Sequence, residues 1–245
     1  ETDYEKEADS LRAARRVFDE DDGIIVPKVH EQFCTRRVLT MEFIDGKSTD
    51  EFLATNPSQE LRNQFGEKIY RSGCRLFFRT RMYYADPHPG NYLFLDDGRL
   101  GHIDFGYIRE FSDNEWDYVR RGSPELNTTR EQVLQHVQLG LQLSDEEMID
   151  RSDFVDLIAE GCHLYWEPMV HDGPFDFGNA DYIRRMFEFF GRAMRSGLPR
   201  QQPVNWVLHR GVYESAGLLY RLRAQVDCKT IGYEESKASR WQWTP

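Results

Sequence analysis

Tyr84-Ala85-Asp86-Pro87-His88-Pro89-Gly90-Asn91, with Ile103-Asp104-Phe105-Gly106 soon after it, is the stretch on which the reading of this sequence turns. An acid stands at Asp86, an amide five positions on at Asn91, and a second acid at Asp104, thirteen positions after Asn91. Tyr92 to Leu95 and Leu100 to Ile103 are short β-like pieces around the turn Asp96-Asp97-Gly98, so a small hairpin joins the amide to the second acid. Phosphoryl transfer asks for such a set: a carboxylate that orients or accepts the proton of the attacking hydroxyl, and oxygen ligands that hold Mg²⁺ against nucleotide phosphates. A lone Asp-Phe-Gly carries little weight, since any strand end can read that way. Its arrival at this interval after an Asp(x)4Asn loop is specific. Taken singly, Asp86 could cap a turn, Asn91 could satisfy turn backbone and Gly106 could merely allow positive φ; the joint spacing favours a nucleotide site.

Upstream, residues 2–19 are rich in Glu, Lys, Arg and Ala with near-helical apolar spacing, which predicts a charged amphipathic helix. Ile24 to Val29 and Arg37 to Ile44 read as two β-rich segments, and Asp45-Gly46 ends the second. From Ser58 to Tyr84 a long helix is expected, with Leu61, Phe65, Ile69, Leu76 and Phe77 on its buried face. After Phe111 strand signals vanish, and helices broken at 122–124, 173–174, 198–199 and 202–203 are expected.

The 245 residues, 40% hydrophobic, suffice for a sizeable core, and the net charge of -11 leaves no basic field for non-specific nucleic-acid binding. No apolar run approaches the roughly 20 residues that span a bilayer, so the chain is expected to be cytoplasmic or in an organellar matrix, at most peripheral to a membrane. Cys34, Cys74, Cys162 and Cys228 form no CxxC pair and read as reduced thiols. Arg71, Arg75, Arg79 and Arg81 among aromatics could form a membrane patch, but a lobe helix with solvated arginines is the favoured reading. Trp241 and Trp243 could be an interfacial anchor or a clamp. His209 reads as a structural, hydrogen-bonding histidine.

The loop 84–91 with Ile103-Asp104-Phe105-Gly106 resembles the UbiB/AarF family of atypical kinase-like proteins, associated with ubiquinone and related isoprenoid-lipid pathways. Glu1-Thr2-Asp3 with Glu7-Ala8, Arg37 to Ile44, Pro174 to Gly178 and Leu208-His209-Arg210 resemble further family elements. The resemblance implies an α+β, protein-kinase-like fold: a partial N-lobe of one helix and two strands (1–45), and a mainly α-helical C-lobe (46–245) with a small catalytic hairpin. It implies ATP and Mg²⁺ as cofactors, Asp86 as the catalytic acid, Asn91 and Asp104 as metal ligands, and Glu7 as partner of an ATP-binding lysine. Glu1 and Asp3 would shape the nucleotide site, Met41 would be the gatekeeper, and Glu42 to Ile44 the adenine hinge.

His88 stands where protein kinases usually carry lysine, and is read as a phosphate contact or loop packing. Tyr84-Ala85 replace His-Arg, and no Ala-Pro-Glu follows Gly106, so peptide-kinase switching lacks its usual parts. The nucleotide loop, the lysine and the KxGQ extension are expected upstream of Glu1, so this chain alone is expected to be inactive. The expected activity is that of an ATPase or a kinase of a small or lipid-like substrate, in contact with a membrane or a quinone-biosynthesis complex. Two rivals remain: a phosphotransferase of the aminoglycoside or choline kinase type, and a nucleotide-binding pseudokinase scaffold.

Overall fold

The computed structural model describes residues 4–18, 23–197 and 201–238, so Glu1, Asp3, Trp241 and Trp243 lie outside the described residues. The expected N-terminal helix is α1, Tyr4–Arg15, which buries Ala8, Leu11 and Ala14 along one side. The two expected β-rich segments form much less regular structure. Only β1, Ile24–Ile25, is a strand, and it pairs in parallel with β4, Leu100–His102, instead of with residues 37–44. His30 and Glu42 do donate across to Thr40 and Lys28 (2.9 and 2.8 Å), and Val29 bridges Met41. The ladder stops there because Pro27 has no amide hydrogen and a 3-10 turn at Glu31–Phe33 draws the chain away.

Helix α2, Thr49–Ala54, starts on a capping box between Ser48 and Glu51. Helix α3, Gln59–Thr80, is capped by Ser58 and ends when Arg81 takes a left-handed conformation (φ 58°), its N–H closing on Phe77. The helix expected to reach Tyr84 therefore stops short. Residues Met82–Tyr84 leave it as β2, antiparallel to β5, Ile108–Glu110. Left-handed backbone costs a non-glycine residue about 1–2 kcal/mol, and the ladder hydrogen bonds gained by three strand-prone residues offset it. The expected hairpin forms as β3, Tyr92–Phe94, paired with β4 in the register Tyr92 to His102.

The remainder is helical: α4 Asp113–Arg121, α5 Arg130–Leu141, α6 Asp145–Asp150, α7 Ser152–Val170, α8 Ala180–Arg195, α9 Pro203–Leu222 and α10 Cys228–Lys237. One exception corrects the all-helical expectation: β6, Phe175–Asp176, pairs with β7, Gln225–Val226, so that Phe175 and Phe177 enter the core. The main core takes Leu11 from α1, Ile24 from β1, Phe65 and Leu76 from α3, Leu100 from β4 and Leu219 from α9. It thus fixes the N-terminal helix and the hairpin on the helical lobe.

The arginines of α3 are not a solvated face. Arg75 is buried and donates to the buried Glu235 of α10 at 2.8 Å, Arg79 reaches the same carboxylate at 2.8 Å, and Arg71 reaches it at 3.2 Å. All four cysteines are free thiols.

Candidate active site

Two loops carry the predicted chemistry, and the fold holds each at both ends. The first leaves β2 and enters β3; the second leaves β4 and enters β5. Because β2 pairs with β5 and β3 with β4, the loops are brought side by side. The clamps continue past the strands: Ala85 N–H donates to Tyr107 O (3.2 Å) and Ile103 N–H to Asn91 O (3.0 Å). Thr49 Oγ1 at the start of α2 donates to Pro89 O at 2.9 Å, fixing the first loop from outside.

Asn91 is buried, and its Nδ2 donates to Tyr84 Oη (2.7 Å) and to Asp86 O (2.9 Å). With the amide nitrogen so engaged, the side-chain oxygen is the atom left for a cation. Asp104 Oδ1 accepts from Gly106 N–H at 2.7 Å, the short turn that aims its carboxylate. Burial pushes the Tyr84 phenol upward, the neighbouring Tyr92 adds to the rise, and the charges of Asp104 and Asp86 contribute less. Phe105 is fully buried, 4.1 Å from the ring of His102 and 5.8 Å from that of Tyr84, and anchors the second loop. Buried among these rings, neither imidazole nitrogen of His102 has a hydrogen-bond partner, and burial lowers its pKa to about 3.

Asp86 carries a partner to which the sequence reading gave no role. Arg210 Nη2 of α9 donates to Asp86 Oδ1 at 2.8 Å, and its guanidinium lies 5.1 Å from the centre of the Tyr107 ring. Leu208-His209-Arg210 was visible as a motif, but a separation of 124 residues hides the contact from any local pattern.

Of the other predicted residues, Glu7 lies beside the second loop. A Cβ placed on Gly106 would lie 3.2 Å from Asp104 Oδ1 and 3.8 Å from Glu7 Oε2, so the glycine separates two carboxylates. His88 faces its own loop: its Nδ1 accepts from Gly90 N–H at 3.1 Å, which fits loop packing. Ile44 is buried against Gly101, and Met41 is partly exposed. Glu42 Oε2 accepts from Lys28 N–H at 3.1 Å. Glu1 and Asp3 lie outside the described residues. His209 departs from expectation: among the described residues its ring has no hydrogen-bond partner, and it packs 5.2 Å from the ring of Tyr165. The donors at the corner, Asn91, Asp104 and the nearby Glu7, are all oxygen, which suits a hard cation such as Mg²⁺.

Clamped acid-bearing loops on a helical lobe, with a helix-borne glutamate at the second loop, define a protein-kinase-like fold. The chain belongs to the ABC1 atypical kinase-like domain family, whose model matches residues 1–173, as the UbiB/AarF resemblance anticipated. It is 28% identical to the mitochondrial atypical kinase COQ8B of Rattus norvegicus over 94% of this chain and 43% of that protein. It is 22% identical to the mitochondrial atypical kinase coq-8 of Caenorhabditis elegans, over 96% of this chain and 31% of that protein. The chain thus spans less than half the length of these relatives. Among solved structures, the Rv3197-erythromycin complex of Mycobacterium tuberculosis matches with a TM-score of 0.67 at 21% identity, covering 95% of this chain and 57% of that one, which supports the fold. The aminoglycoside or choline kinase reading is not favoured by these matches. Among the described residues, no helix is long and apolar enough to cross a membrane.

Proposed function

We propose that this chain supplies the catalytic and metal-binding half of an ATP site, in a protein that hydrolyses ATP or phosphorylates a small or lipid-like acceptor. The observation that carries the reading is the clamped pair of loops, which sets the loop of Asp86 and Asn91 beside the loop of Asp104. Asp86 would orient or accept the proton of the attacking hydroxyl or water, with Arg210 holding its carboxylate in place. Asn91 and Asp104 would hold Mg²⁺, which when bound neutralises phosphate charge. Glu7 is suited to pair a lysine of the nucleotide lobe, and residues 42–44 to present main-chain groups to adenine. The division near residue 45 between N-lobe remnant and C-lobe belongs to the same reading.

The mitochondrial relatives and the family's link to ubiquinone biosynthesis favour a role in quinone or isoprenoid-lipid metabolism within an organellar or bacterial interior, beside a membrane or a quinone-biosynthesis complex. Calorimetric titration of Mg·ATP and Mg·ADP into this chain and into a version extended upstream, each beside Asp104→Asn, tests the site. Binding by the extended protein that is lost in the variant is the expected result. No binding by any folded version would leave the scaffold reading.

A further inference from the structure

A second cavity, of about 200 Å³, opens inside the helical lobe between α4, α5, α7 and α9. Tyr118 and His136 stack on one wall, rings 5.1 Å apart and 15° from parallel, while Cys162 and Val212 line others. No Asp, Glu, Lys or Arg is among its described lining residues. Some of its polar groups are already satisfied: Tyr118 Oη donates to Asn205 Oδ1 at 2.8 Å, and Asn205 Nδ2 to Gly140 O at 3.3 Å. Two are not. His136 Nδ1 and Gln201 Nε2 are buried and have no hydrogen-bond partner. Buried polar atoms are nearly always paired, and two unpaired ones on the wall of one largely apolar cavity mark where a guest's polar atoms would sit.

We propose that this cavity is a binding site for a small, neutral, planar molecule carrying a hydrogen-bond acceptor, distinct from the nucleotide corner. A dry cavity of about 150 Å³ holds benzene, so this one has room for a substituted ring. Gln201 Nε2 can only donate, which calls for a carbonyl or amide oxygen on the guest. A charged guest is disfavoured because the described lining residues offer no counter-ion, and burial holds His136 and His209 neutral, each with a pKa lowered to about 4. The α9 wall is continuous with the catalytic loop, since Tyr83 Oη donates to Leu208 O at 3.0 Å and Arg210 follows two residues later. A guest here would therefore bear on the helix that steadies Asp86.

Benzamide, toluene and benzoate serve as probes, with binding followed by saturation-transfer NMR and by melting temperature. Benzamide is expected to bind and raise the melting temperature, toluene to bind more weakly, and benzoate not at all. Gln201→Leu should weaken benzamide about tenfold, the worth of one neutral hydrogen bond, and leave toluene unchanged. Val212→Phe, which fills the cavity, should abolish both while the protein still melts cooperatively. Asp104→Asn should change neither, which separates this site from the nucleotide site. Failure of benzamide to bind the folded wild-type protein, or equal affinity in wild type, Gln201→Leu and Val212→Phe, would overturn the proposal. Benzoate binding as tightly as benzamide would do so too.

Discussion

At the residue scale, Asp86, the acid proposed as catalytic, is held by a group far away in sequence. Asp86 is 29% exposed, so its position rests on the Arg210 contact as well as on the loop. Arg210→Gln, in the upstream-extended protein, is expected to lower turnover by about 10- to 100-fold, the penalty for a misplaced catalytic group. Mg·ATP affinity should stay within about threefold, because Arg210 acts on the acid and the metal is held elsewhere. Unchanged turnover in steady-state assays would remove Arg210 from the mechanism. Tyr84→Phe deletes the hydroxyl that accepts from Asn91 and should cost about 1 kcal/mol in stability, together with a higher Mg²⁺ requirement for nucleotide binding. A magnesium titration with normal half-saturation in that variant would show that Asn91 needs no such support.

At the element scale, α3 and α10 are locked by charge. Burial alone would raise the pKa of Glu235, but the Arg75 hydrogen bond and the charges of Arg75 and Arg79 outweigh it, and the net shift is downward. A carboxylate whose pKa is depressed by folding adds stability above its unfolded pKa, and that stability is lost as pH falls through the folded value. Glu235→Gln leaves Arg75 buried without its counter-ion and should cost about 3–5 kcal/mol at pH 7. The gap between variant and wild type should narrow as pH falls below about 4, where unfolded glutamate is already largely protonated; urea midpoints at pH 7 and about pH 3 check both. A gap that grew with acid would mean that folding raises the pKa of Glu235 instead of lowering it. On the same helix, a Cβ at Gly66 would sit 2.5 Å from Ala224 Cβ and 3.1 Å from Val226 Cγ2. Gly66→Ala is expected to destabilise by about 1–3 kcal/mol through overpacking, measurable as a lower melting temperature.

At the scale of the whole molecule, one core runs from α1 through the hairpin to α9 and α10, and Ile158 packs against both that core and the satellite cluster of α5 to α7. The described parts are therefore expected to unfold together. Far-UV circular dichroism and tryptophan fluorescence should give coincident denaturation curves, Trp116 and Trp166 reporting on the satellite clusters. A separate early fluorescence transition would show that α4 to α7 form their own cooperative unit.

The sequence by itself determined the acids, the amide and the hairpin between them, because turn chemistry and spacing are local. It likewise placed the start of the long helix α3 at Ser58, which caps it. Tertiary structure alone decided what depends on distant partners. Residues 82–84 left the helix because β5 offered a ladder, and residues 24–44 kept little regular pairing because β4 claimed β1. The α3 arginines turned inward because Glu235 waited on α10, and Asp86 gained Arg210 because α9 folds back across the loop 84–91. Hydrogen bonds and charge pairs between segments more than a hundred residues apart leave no periodic trace along the chain, and only the fold brings their members within reach.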